Sequence, residues 1–91
     1  MVDDKYREGE AIAQRARQQL GATWLISYHG QRDRWEIKNV LEKDLVFGSY
    51  QHTEEGWKYR PNPSIPRGVK GAVDFALDTA MKAIATQQEA K

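Results

Sequence analysis

Ninety-one residues with a net charge of +1 and no cysteine make a single domain, 1–91, with room for one modest core. Disulfides, thiolate metal sites and thiol catalysis are excluded, and a chain so near neutral lacks the basic excess usual in nucleic-acid binders. No apolar run approaches the roughly 20 residues of a membrane helix, and the acidic, polar start MVDDKYREGE is unlike a signal peptide, so a cytoplasmic protein is expected.

Residues 4–20 predict a helix. The segment is rich in Ala, Glu, Gln and Arg, all tolerant of helix or good formers. Asp3 or Asp4 is placed to cap it and Gly21 to stop it. Tyr6, Gly9, Ile12, Ala13, Ala16 and Leu20 fall on one side, a thin stripe suited to lying close against something flat.

From Thr23 the apolar period changes to two. Four strands are expected, at about 23–29, 34–41, 45–52 and 56–60, joined by the short turns GQRD, EKD and TEEG. Turns this short imply an antiparallel meander. Trp24, Ile26, Tyr28, Trp35, Ile37, Trp57 and Tyr59 share the apolar face. Leu25, Ser27, His29, Arg34, Glu36, Lys38, Lys58 and Arg60 share the other. The third strand breaks the pattern. Regular alternation leaves either Phe47 or Tyr50 on the polar face, and a bulge at Gly48 would bury both.

WKYRPNPSIPRGVKGAVDF, from Trp57 to Phe75, holds the only one-sign charge run. Lys58, Arg60, Arg67 and Lys70 precede the first acid, Asp74. Its three prolines exclude regular structure over 61–68, which predicts a stiff connector with Ile65 tucked inward. A second helix follows at about 69–87, with Val73, Ala76, Leu77, Ala80, Met81 and Ile84 as its stripe and Phe75 on the opposite side. The fold class is therefore α+β: helix, meander, helix, both helices on the apolar sheet face.

Motifs for chemistry are absent. His29 and His52 have acids nearby in sequence, but no spacing signals the three or four converging ligands of a metal site. Glu54 and Glu55 sit in a turn, with none of the walls that raise a catalytic carboxyl's pKa. The serines lie in no nucleophile elbow, and no phosphate-binding loop or dinucleotide fingerprint occurs. The chain reads as no enzyme, with no cofactor; a small metal-assisted hydrolase on His29 and His52 is the remote alternative.

A binding surface is expected on the polar sheet face and the start of the last helix: Arg34, Lys38, Tyr50, Lys58, Arg60, Arg67, Lys70 and Phe75. Cations at a helix N-terminus oppose the dipole. They are either an anion grip or are satisfied by Asp74 and Asp78 one turn on. Phe75 leaves room for a homodimer.

The element order is similar to that of the double-stranded-RNA-binding domain, with Arg67, Lys70, Ala72, Ala76 and Ala80 of RGVKGAVDFALDTA in loosely comparable places. That family's paired lysines are missing, and Asp74 and Asp78 would face phosphate. The tryptophan-led strand TWLISYHG also resembles the first strand of phage integrase arm domains. These likenesses imply nucleic-acid binding through Lys58–Lys70 as the alternative function. The balanced charge favours a protein partner. Small charge-balanced α+β chains also look like the inhibitors and regulators carried by phages and plasmids, so a non-catalytic binder of that kind is the expected function.

Overall fold

Two helices cover one face of a four-stranded antiparallel sheet and leave the other face open. The computed structural model describes the backbone of residues 4–89 and the side chains as far as residue 86. In chain order come α1 (Asp4–Leu20), β1 (Trp24–His29), β2 (Arg34–Asn39), β3 (Gly48–Thr53), β4 (Gly56–Pro61) and α2 (Arg67–Glu89). The strands are neighbours in that same order. The cap expected at Asp3 lies outside the described residues. Gly21 ends α1, its amide donating to the Arg17 carbonyl at 2.8 Å and its φ of 117° closing the helix where a side chain would be strained.

Register assigns the faces. Ile26 pairs with Ile37, Tyr28 with Trp35, Trp35 with Tyr50, and Tyr50 with Tyr59, so these residues share the helix-covered side. Beneath α1, the rings of Trp35 and Tyr50 lie parallel, 5.9 Å apart and 2° from coplanar. Gly9 of α1 lies on the Trp35 indole so closely that a Cβ there would overlap the ring. Ala13 and Ala16 of α1 share one core with Ala76 and Ala80 of α2, and small residues let the two helices pack against each other. Trp57 ties sheet to helix, its Nε1 donating to Glu8 Oε1 at 3.0 Å.

Three features depart from simple alternation. First, Phe47 and Gly48 stand together opposite Ile37: the Phe47 amide donates to the Ile37 carbonyl at 2.8 Å, while Gly48 is the register partner of Ile37. Two residues against one is a β-bulge. It buries Phe47 as well as Tyr50, so neither aromatic reaches the open face. Gly48 is needed there, because a Cβ would stand 2.8 Å from the Tyr59 ring.

Second, β2 ends at Asn39 rather than continuing to residue 41. The Asn39 side chain accepts the Leu41 amide at 3.0 Å and its carbonyl accepts the Glu42 amide at 3.0 Å, an Asx-type turn that bends the chain. Third, α2 begins at Arg67, with Pro66 supplying the first carbonyl, to the Lys70 amide at 2.9 Å. Asn62 holds the connector before it, donating to Val46 O at 2.8 Å and accepting the Ser64 amide at 2.9 Å. Ile65 is buried beneath. No helix among the described residues is long and apolar enough to cross a membrane.

Candidate binding surface

The open face is built from alternate residues of all four strands. Lys38 pairs with Leu25, Glu36 with Ser27 and Ser49, Ser49 with Arg60, and Gln51 with Lys58. Pleating projects this set away from the helices. Arg34, Lys38, Lys58 and Arg60 thus share one surface, as expected from alternation.

Glu36 is the centre of this face and the one acid in that set. Although no helix covers it, it is only 5 % exposed, because neighbouring side chains lie over it. Arg34 donates through Nε and Nη2 to Oε2 at 3.0 and 2.7 Å. His29 Nε2 stands 3.1 Å from Oε1, and Arg32 Nη1 reaches to 4.0 Å of Oε2. Desolvation pushes the carboxyl's pKa up, but the Arg34 hydrogen bonds and the nearby His29, Arg34 and Lys38 outweigh it, and the group is held below the ordinary glutamate range.

That cluster consumes Arg34. Lys38, Lys58 and Arg60 make no ion pair among the described residues, and Lys58 and Arg60 stand exposed on β4. Of the side chains at this carboxylate only Arg34 is among the sequence-predicted binding residues; Glu36 itself, His29 and Arg32 are not. The signal was present, since alternation sets Glu36 between Arg34 and Lys38 with its neighbours' cations around it.

Tyr50 requires correction as a surface residue. It is 1 % exposed, on the covered face, with its hydroxyl donating to the Gly9 carbonyl at 2.7 Å. Burial pushes that phenol far above its usual pKa. Arg67, Lys70 and Phe75 belong to the helix layer, on the far side of the sheet from the open-face cations, so the expected single surface is two patches.

At the start of α2, Lys70 Nζ donates to Asp74 Oδ2 at 2.7 Å, and Asp78 takes Lys82 at 3.0 Å. Arg67 is exposed without an ion pair among the described residues. Phe75 is 60 % exposed and borders a shallow groove with Leu20, Trp24, Val69 and Ala72. Beside Lys70, Tyr59 Oη and Asp74 Oδ1 are buried without hydrogen-bond partners among the described residues. Burial, and then Asp74, raise the Tyr59 pKa.

The histidines do not converge. His29 stands on the open face beside Glu36, whereas His52 stands on the covered face against Trp57, ring centroids 5.2 Å apart. No group of three or more metal-ligating side chains forms among the described residues. A recess of about 190 Å³ under the start of α1, lined by Lys5, Tyr6, Tyr28, Asp33 and Trp57 among others, is walled mainly by rings that pack on one another. Compared with known protein families, curated protein sequences and solved structures, the chain matches none.

Proposed function

We propose that the chain is a small non-catalytic binding protein, of the inhibitor or regulator type, whose open sheet face meets an acidic surface of a protein partner. The observation that carries this reading is the state of the charges on that face. Its acid, Glu36, is buried under Arg34 and His29, while Lys58 and Arg60 stand exposed with no ion pair among the described residues. An acidic partner would complete the pairing and be steered to it.

Nucleic acid has less support. The basic run does not act as one strip: Lys58 and Arg60 lie on the sheet face, Arg67 and Lys70 in the helix layer, and Lys70 is already held by Asp74. Every strand tyrosine and tryptophan projects to the covered side, so the open face offers no tyrosine or tryptophan ring for base stacking.

The test pairs wild type with Lys58→Glu/Arg60→Glu. Partners captured from lysate are purified and titrated directly, and labelled single-stranded DNA, duplex DNA and duplex RNA are titrated in parallel. The reading expects salt-sensitive binding to a purified acidic protein, lost in the double variant while its thermal melt is kept. Partner binding unaffected by the double variant, or saturable binding to a nucleic acid alone, overturns it.

A further inference from the structure

α2 presents one side that the core does not use. Arg67, Gly68, Gly71, Phe75, Asp78 and Lys82 are exposed along it, at helical spacing and opposite the buried Val73, Leu77 and Ala80. Phe75 projects from the middle of this side, 60 % exposed. Toward the start of the helix, Gly68 and Gly71 leave a notch beside it. A Cβ on either would meet nothing within 4 Å, and neither glycine takes a positive φ. Nothing among the described residues therefore requires glycine at these two positions, where alanine is the better helix former. The notch opens into the groove that Leu20, Trp24, Val69 and Ala72 line, about 370 Å³ in volume.

The same side carries one charge of each sign at its two ends. Arg67 is exposed without an ion pair among the described residues. Asp78 lies about three turns further on, hence on the same flank of the helix. Its side chain is 62 % exposed, with Oδ2 held by Lys82 at 3.0 Å. Between the two ends lie the glycine notch and the Phe75 ring.

We infer that this side of α2 is a homodimerisation surface, on which the α2 helices of two copies lie antiparallel about a two-fold axis at the level of Ala72 and Val73. A knob and a notch on one surface are what a self-complementary contact needs, because each copy supplies both halves. Residues equally distant from the axis along the helix meet across it. Phe75 therefore seats over the partner's Gly68 and the partner's Gly71, against the mouth of the partner groove. The charges select the same register, since Arg67 then stands opposite the partner's Asp78, and Asp78 opposite the partner's Arg67. A parallel pairing would instead set Arg67 against its own copy. This surface lies in the helix layer, away from Lys58 and Arg60, so the inference is independent of the acidic-partner reading.

The test is sedimentation of the full chain from about 5 to about 500 μM, with thermal melts at the dilute end to show that each variant folds. A monomer–dimer equilibrium is expected. Phe75→Ser, at an exposed position, abolishes it, whereas Leu41→Ser, at a turn residue 81 % exposed, leaves it unchanged. Arg67→Glu and Asp78→Arg each weaken the dimer at least about tenfold, because each sets like charges together on both sides of the axis. The double variant Arg67→Glu/Asp78→Arg restores it. A chain monomeric across the range overturns the inference. So does a dimer that Phe75→Ser leaves intact, one indifferent to the single charge reversals, or one that the double variant fails to restore.

Discussion

The Tyr50 hydroxyl donates a 2.7 Å hydrogen bond to the Gly9 carbonyl, joining the middle of β3 to the middle of α1. The bond is buried, and the ring that delivers it stacks on Trp35, which in turn receives Gly9. Helix, indole and phenol thus position one another.

Removing only the oxygen isolates the bond. Tyr50→Phe keeps the ring and its stack, so the expected loss is the net value of one buried hydrogen bond, about 0.5–1.5 kcal/mol. For a domain of this size each kcal/mol lowers the melting temperature by about 4–8 °C. Calorimetry of the two proteins checks it; an unchanged melt would mean the contact contributes nothing net.

Gly9→Ala reverses the usual sign of a helix substitution. At an exposed helix interior, alanine is favoured over glycine by about 1 kcal/mol. Here the added Cβ would overlap the Trp35 indole, so helix and sheet must separate, at an expected cost of about 1–3 kcal/mol. Urea denaturation measures the change directly.

Glu36 links stability to acid. Its pKa in the folded chain is lowered, so the folded state favours the charged form. That contribution is complete above the unfolded glutamate pKa and is lost as pH falls through the lower folded value. Glu36→Gln is expected to cost about 1–3 kcal/mol at neutral pH, since the Arg34 hydrogen bonds then end on an uncharged acceptor. The gap between variant and wild type narrows in acid, which urea midpoints at about pH 7 and about pH 3 test. A gap that stays constant would show that the Glu36 charge is not the source of the difference.

Arg67 occupies the first position of α2, where the helix dipole disfavours a cation. Arg67→Glu is expected to raise stability by about 0.3–1 kcal/mol. The new carboxylate would also lie three residues before Lys70, a helical neighbour. Loss of stability on this substitution would reveal a structural contact for the arginine. A gain would leave its retention to be explained by something other than folding.

Much of this architecture is legible in one dimension because it follows from local period. A repeat of two sends Trp35 and Ile37 one way and Arg34, Glu36 and Lys38 the other, whatever the rest of the chain does. A repeat near 3.6 does the same for Ile12, Ala13 and Ala16, and for Val73, Leu77 and Ala80. Turn and stop residues such as Gly21 act within a few positions. The order of elements and the open-face cations Arg34, Lys38, Lys58 and Arg60 follow from these alone.

The tertiary structure decided what depends on which residues meet. Tyr50 is buried because Phe47 and Gly48 share Ile37 as a partner, a register event that shifts every later side chain of β3 relative to what precedes it. Glu36 is hidden because the β1–β2 hairpin brings His29 and Arg34 together over it. Asp78 takes Lys82, and Arg67 is left without an ion pair among the described residues. Sequence separation sets which side chains are in reach, whereas long-range hydrogen bonding and close packing select among them. The face of a residue is therefore readable from its neighbours along the chain, but its partner is readable only after the strands and helices have docked.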